Sequence, residues 1–225
     1  MADANRDVSP GDSRRAGPHI PPMTERRQFD VAIIGGGMTG LALAAALGSD
    51  GVSTVVVDRV PADTPPSRNA DPRVTAVALG SARFLRAIDA FDEMEAEGEA
   101  ILDIAVREGR SPFAVRYDHA AVGDEPMGWI VENAVIREAL LRRVRALPSV
   151  ELRMPATYAQ VATHRDGVRI ALDDGSEIRA SLLVAADGKF SKLRAKLGIR
   201  ADFKDYGQAG IVATLAHSEP HHGLA

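Results

Sequence analysis

An α/β fold is what this sequence predicts, on three observations. Residues 30–58 run from an apolar stretch through a glycine cluster and a small-residue stretch to a second apolar stretch that ends in an acid. Residues 133–145 carry a helical apolar period. Residues 150–186 hold four strand-like runs, and Asp-Gly pairs mark two of the junctions between them. A strand–helix–strand unit, a helix and a turn-punctuated run of strands together make a mixed α/β chain.

The first element is a strand over Val31–Ile34. Glycines follow at Gly35, Gly37 and Gly40 in the spacing G-x-G-x-x-G, and Leu41–Leu47 is a run of good helix formers. Gly35 permits the tight turn off the strand, Gly37 lets backbone approach a pyrophosphate, and Gly40 lets helix and strand pack closely. The helix start directs free N–H groups and a positive dipole end at phosphates. The next strand, Val55–Val57, ends at Asp58 and is followed by Arg59. A carboxylate at Asp58 accepts hydrogen bonds from a ribose diol and repels a 2′-phosphate, so this Rossmann-like unit predicts FAD or NAD and excludes NADP. The bland reading, that Asp58 only ends a strand, is weaker because the whole unit is in register. Val31–Gly48 is uncharged and just long enough to span a membrane. Three consecutive glycines split it, and its first half has a strand pattern, so neither a span nor a signal peptide is expected.

The chain has 225 residues, a net charge of −4, a pI of about 5.9 and no cysteine. That length suggests one or two domains. The acidic balance argues against a nucleic-acid surface. Without cysteine there is no disulfide, thiol nucleophile or thiolate metal site, which fits a reducing cytoplasm. Residues 1–28 are rich in Pro, Arg, Asp and Ser without an apolar period and read as a disordered tail. Arg14-Arg15 resembles a targeting signal, but Asp3, Asp7 and Asp12 argue against a transit peptide. Met23 is an alternative start.

Val60–Asn69 reads as a Pro-rich loop. Asp71–Leu79 leads into a helix over Ser81–Ile88, and spacing alone leaves Arg73 equally a solvated loop charge or a cation near phosphate or flavin. Ala100–Val106, Pro112–Tyr117 and Gly128–Val131 read as short strands. A helix over Asn133–Arg145 puts Val135, Leu140, Val144 and Leu147 on one face. Arg142, Arg143 and Arg145 read as its solvated face, while Arg137 lies near the helix start, where a cofactor is closer. Val150–Met154, Thr157–His164, Val168–Leu172 and Ile178–Ala186 form an antiparallel meander, turning at Asp166-Gly167 and Asp174-Gly175. Its last part, Leu182–Ala186, is expected to be buried and delivers Asp187-Gly188 to a strand end, where open α/β sheets bind ligands. His217, His221 and His222 suggest a metal only weakly, because Pro220 interrupts them and no cysteine assists. No metal is expected.

These segments together resemble the FAD-dependent aromatic hydroxylases, and within them the ubiquinone-biosynthesis hydroxylases that oxidise polyprenylated phenol rings. The resemblance rests on IIGGGMTGLALA with Asp58-Arg59, on DPRVTAVALGS at Asp71–Ser81, on GWIVENAVIREAL at Gly128–Leu140 and on LLVAADGKFSKLR at Leu182–Arg194. Tyr206–His221 is similar to a strand pair of the ubiquinone branch. The resemblance implies that Gly35, Gly37 and Gly40 hold the FAD pyrophosphate and Asp58, next to Arg59, the adenosine ribose. It sets Arg73 and Arg137 near the flavin nucleotide and Glu132 near the ribityl chain. It ties Asp187 and Gly188 to FAD and to the pyridine nucleotide.

The implied chemistry is reduction of the flavin by NAD(P)H, followed by hydroxylation of a phenolic substrate with O2. No side chain declares itself as a catalytic base. The implied domains are an FAD-binding domain over 29–105 and 126–200 and a partial β-sheet substrate domain over 106–125 and 201–225. A later Gly-Asp flavin segment, expected from the family, is absent, since Gly123-Asp124 is followed by Glu125-Pro126. The chain therefore reads as an N-terminal half, expected to bind FAD weakly alone and to expose a sheet edge. The resemblance also leaves room for peripheral contact with the inner membrane or with a quinone-biosynthesis complex. Competing readings are a related flavin reductase or halogenase, although Trp129 is the sole tryptophan, and a non-catalytic nucleotide-binding scaffold.

Overall fold

The computed structural model describes residues 28–64, 71–109, 112–213 and 215–225. The N-terminal tail with Arg14-Arg15 and Met23, and residues 65–70 of the Pro-rich loop, lie outside the described residues. The chain begins β1 (Gln28–Ile34), α1 (Met38–Ser49), β2 (Thr54–Val57), β3 (Val74–Ala78), α2 (Leu79–Ala87) and α3 (Asp92–Glu97). It continues β4 (Glu99–Ile101), β5 (Asp103–Arg107), β6 (Ala114–Asp118), β7 (Gly128–Glu132) and α4 (Asn133–Arg145). Then come β8 (Val150–Arg153), β9 (Tyr158–His164), β10 (Gly167–Leu172), β11 (Glu177–Ala185) and α5 (Lys192–Lys196).

Six strands make the main sheet in the order β8-β2-β1-β11-β10-β9. β8, β2, β1 and β11 run parallel, and β10 and β9 complete the antiparallel end. The apolar runs of β1 and β2 are buried on both faces because successive side chains point to opposite sides. Val31, Ile33 and Val56 enter a core with α1, α2, α3 and α4, while Ala32, Ile34, Val55 and Val57 enter a second core with β10, β11 and Leu193 of α5. Each large aliphatic side chain so buried contributes about 1.5–3 kcal/mol.

A second sheet, β3-β7-β4, leans on the first core through Val77, Trp129 and Val131. Trp129 meets Phe91 edge to face at 5.1 Å, and the Arg86 guanidinium lies over both rings. β5 and β6 form a separate two-stranded ribbon. Val135, Leu140, Val144 and Leu147 are all buried, as the period of α4 predicts. The arginines of α4 are not simply solvated. Arg142 pairs with Glu93, Arg145 with Asp63 at 2.6 Å, and Arg143 donates to the Ile88 carbonyl at 2.7 Å and to Ser49 Oγ at 3.0 Å.

Four expectations need correction. Ala100–Val106 is two strands in different sheets. The break falls at Leu102, whose N–H donates to the Gly223 carbonyl and whose own carbonyl accepts from His119. Val150–Met154 is not a meander strand: β8 runs parallel to β2 at the far edge of the sheet. Leu182–Ala186 is not a buried strand, for Leu182 is 55% exposed and lies on β11, the third strand of the meander and also the parallel neighbour of β1. Among the described residues of 206–221 none is in a strand, and that stretch is held chiefly by local bonds such as Gly207 N–H to Asp205.

Candidate functional site

The parallel order fixes the site before any side chain is considered. β2, β1 and β11 are adjacent and run the same way, so the residues following each strand collect at one carboxyl edge. Those residues are Asp58, the glycine loop and Asp187-Gly188. Backbone bonds lock them together: Gly35 N–H donates to the Val57 carbonyl at 2.8 Å, and Ala186 N–H donates to the Ile34 carbonyl at 2.7 Å.

The glycines divide the work much as their spacing predicts. Gly35 has φ +114°, and a Cβ there would meet the Ala186 carbonyl oxygen at 2.2 Å. A Cβ on Gly40 would meet the Gly35 carbonyl oxygen at 1.9 Å, so α1 sits directly against the turn. A Cβ on Gly37 would meet no atom within 4 Å. The space in front of the α1 N-terminus is therefore open at the place where the helix presents its free N–H groups.

Asp58 does more than end β2. Its Oδ2 accepts from Gly36 N–H at 2.6 Å and its Oδ1 from Val60 N–H at 2.7 Å. The carboxylate thus pins the glycine loop to the β2 end, and each oxygen keeps lone-pair capacity for a further donor such as a ribose hydroxyl. Arg59 is exposed. Met154, at the end of β8, leans against the same loop: a Cβ on Gly36 would meet its Cε at 2.7 Å.

At the β11 end, Asp187 Oδ2 accepts from Leu193 N–H at 3.3 Å. Its Oδ1 is buried without a hydrogen-bond partner among the described residues. Gly188 has φ +86° and turns the chain into α5, which Ser191 caps by accepting from Arg194 N–H at 2.9 Å. The Tyr158 hydroxyl, on β9, is also buried and unpartnered, and burial, followed by the negative charge of Asp187, raises its pKa.

The remaining expected residues gather at the start of α4. Glu132 ends β7, pairs across the sheet with Val74, and is the residue before α4. Asn133 N–H donates to the Arg73 carbonyl at 3.1 Å, which places Arg73 beside that helix start. The Arg73 guanidinium is held by Asp71 at 2.5 and 2.7 Å. That same hydrogen-bonded arginine holds the Asp71 carboxyl at a pKa of about 2. Arg137 reaches the carbonyls of Pro61 and Thr64 at 3.4 Å, on the loop that follows Asp58. The strand-end residues thus form one cluster and the α4 residues a second, linked through the loop after β2.

These residues fit an FAD. The cradle is shaped by glycines that a side chain would fill, Asp58 has acceptor capacity left, and Asp187 offers an unsatisfied buried oxygen. Met154, the Gly36 N–H and Tyr158 are site residues that sequence reasoning misses. Met154 had one signal, its place at the end of a strand-like run. Tyr158 had none.

Comparison with known proteins agrees with this geometry. Residues 28–223 match the FAD binding domain family. The chain is 40% identical to the ubiquinone hydroxylase UbiL of Rhodospirillum rubrum, over 87% of this chain and 46% of that protein. It is 31% identical to the 3-demethoxyubiquinol 3-hydroxylase of Escherichia coli, over 83% of this chain and 48% of that protein. It is 30% identical to the human mitochondrial ubiquinone biosynthesis monooxygenase COQ6, over 96% of this chain and 51% of that protein. The chain thus spans about half the length of the curated relatives it matches. Among solved structures, p-nitrophenol 4-monooxygenase PnpA from Pseudomonas putida superposes with a TM-score of 0.66 at 26% identity, covering 76% of this chain and 44% of that one. Aklavinone-11 hydroxylase, solved with FAD and aklavinone, gives 0.62 at 27%, covering 78% of this chain and 36% of that one. With a family match that runs from the first residue of β1 to beyond α5, the chain belongs to the FAD binding domain family.

Proposed function

We propose that this chain is the FAD-holding part of a flavin-dependent monooxygenase that hydroxylates a phenolic ring, a ubiquinone precursor, with NAD(P)H and O2. One observation carries the reading: three parallel strands deliver the glycine loop, Asp58 and Asp187-Gly188 to one edge. The names of the relatives support the substrate class. When bound, the flavin supplies the redox chemistry, taking electrons from the pyridine nucleotide and passing them to oxygen.

The residues of this chain bind and orient. Gly35, Gly37, Gly40 and the α1 N-terminus would take the pyrophosphate. Asp58 would take the adenosine ribose, flanked by Arg59. Asp187 and Gly188 would face the ribityl and flavin side. Arg73, Glu132 and Arg137 would close the second side, Arg73 by exchanging Asp71 for a phosphate. In this reading residues 29–105 and 126–200 are the FAD-binding domain, and 106–125 and 201–225 contribute to substrate binding.

Titration of FAD into the purified chain, followed by flavin fluorescence, tests the binding role. Binding that weakens at least tenfold in Asp58→Ala and in Asp187→Ala is expected. Binding unaffected by either change, or a preference for NADP, would overturn the reading. The substrate class is tested by complementation: a reading frame containing this chain should restore quinone synthesis in quinone-deficient cells.

A further inference from the structure

Among the described residues, the buried side-chain oxygens without a hydrogen-bond partner are Tyr158 Oη, Ser176 Oγ and Asp187 Oδ1. Ser176 lies in the β10–β11 turn beside Asp174, whose carboxylate accepts its N–H at 2.8 Å. Tyr158 and Asp187 belong to each other instead. A buried polar atom left unpaired keeps the full cost of losing water, and the low dielectric of the interior raises that cost. A phenol that needs an acceptor and a carboxylate oxygen that needs a donor can relieve one another.

Sheet order alone keeps the two apart, since β10 separates β9 from β11. Packing brings them together at α5. Tyr158 opens β9 and packs on the second core, in which Leu193 of α5 is buried. Asp187 Oδ2 accepts the N–H of that same Leu193 at 3.3 Å. Lys196, further along α5, reaches the Ala159 carbonyl at 3.4 Å and stands 5.2 Å from the Tyr158 ring centroid. Burial, followed by the charge of Asp187, keeps the Tyr158 hydroxyl protonated. A protonated phenol can donate, and a carboxylate oxygen accepts only. One water that accepts from Oη and donates to Oδ1 satisfies both, and a polar site enclosed by protein is where such waters are held.

We infer that Tyr158 positions Asp187 through one buried water, to which its hydroxyl donates and which donates to Asp187 Oδ1. The bridge ties the first residue of β9 to the end of β11 and holds the carboxylate facing the edge where the glycine loop and Asp58 gather. Oδ1 keeps a second lone pair for a cofactor hydroxyl. The link itself does not depend on the flavin reading; its effect on FAD affinity rests on the FAD-holding role proposed above.

Carbon NMR of the full 225-residue chain, with its tyrosines labelled at Cζ, tests the link without flavin. The three tyrosines give three signals, and Tyr158→Phe identifies the one from Tyr158. Asp187→Asn should move that signal and leave those of Tyr117 and Tyr206, both more than half exposed, in place. A high-resolution crystal structure should place one water within about 3.2 Å of both Oη and Oδ1. FAD titration reads the consequence. Tyr158→Phe should weaken binding by about fivefold in the wild-type chain, and by less than about twofold once Asp187→Ala has removed the carboxylate. A residue that only fills the core would cost the same in both backgrounds. Circular dichroism of every variant checks that the fold is kept. The inference is overturned by a Tyr158 signal indifferent to Asp187→Asn, by a hydroxyl bonded to a group other than this water, or by equal losses in the two backgrounds. A chain that binds no FAD but shows the bridge and the signal change overturns the FAD-holding role and upholds the link.

Discussion

Single atoms decide whether the cradle exists. Gly35 combines φ +114° with a carbonyl oxygen 2.2 Å from where a Cβ would sit, and that oxygen is backbone, which cannot swing away. Gly35→Ala should therefore cost about 3 kcal/mol, from backbone strain plus overpacking. Urea denaturation measures this, and a loss below about 1 kcal/mol would show that the loop gives more than the contact allows. Asp71 and Arg73 make a different residue-scale case. The arginine's hydrogen bonds hold the Asp71 pKa at about 2, below its ordinary 3.8. A folded-state pKa below the unfolded value stabilises the fold above about pH 4, and that contribution fades as pH falls toward 2. Because both side chains are exposed the effect is small. The urea midpoint of Asp71→Asn should sit slightly below wild type at neutral pH, and the two should converge in acid. A gap that persists to pH 2 would assign the effect to something other than this pair.

Elements meet through contacts that no local pattern reports. Gly48 lies in α1, where alanine is intrinsically better by about 1 kcal/mol. A Cβ there would meet Val150 Cγ2 at 2.4 Å and Leu147 Cδ1 at 3.0 Å. Overpacking of 1–3 kcal/mol wins over propensity, so Gly48→Ala should lower stability by about 1 kcal/mol in thermal or urea unfolding, and a stabilised variant would refute the contact. The same distinction explains what the sequence revealed. β1, α1, β2 and α4 were legible because each is specified by its own period, cap or glycine spacing. The glycine loop, Asp58 and Asp187 were legible because strand ends in an open sheet share an edge. β8 looked like a meander strand because nothing local says that it pairs with β2. Leu182–Ala186 looked buried because an apolar run reads alike whether or not its face is covered. Met154 and Tyr158 reach the site only through the strand order, which is a property of pairings far apart in the chain.

At the scale of the whole molecule, the β5–β6 ribbon leaves a continuous apolar face uncovered. Ile104 pairs with Tyr117 and Val106 with Val115, so these four share one face, while Asp103, Arg107, Arg116 and Asp118 share the other. Val106, Val115 and Tyr117 are each more than half exposed. A two-stranded ribbon is marginal by itself. Among the described residues, Leu224 adds an isolated bridge to it at Asp103, with Ala225 N–H donating to the Asp103 carbonyl and Ala105 N–H to the Ala225 carbonyl, each at 2.8 Å. β6 pairs with no other described strand, so its outer edge and its apolar face are both available to another chain. The 225-residue chain should therefore self-associate with rising concentration, as read by sedimentation velocity or light scattering. Val115→Lys places a charge in the middle of that face without touching either buried core. It should lower association clearly while shifting stability by no more than about 0.5 kcal/mol. Scattering that matches wild type would move the sticky surface elsewhere, to Leu182 on β11 or to the exposed Phe190–Phe203 ring pair, and the corresponding changes there, Leu182→Lys and Phe203→Ser, would tell those two apart.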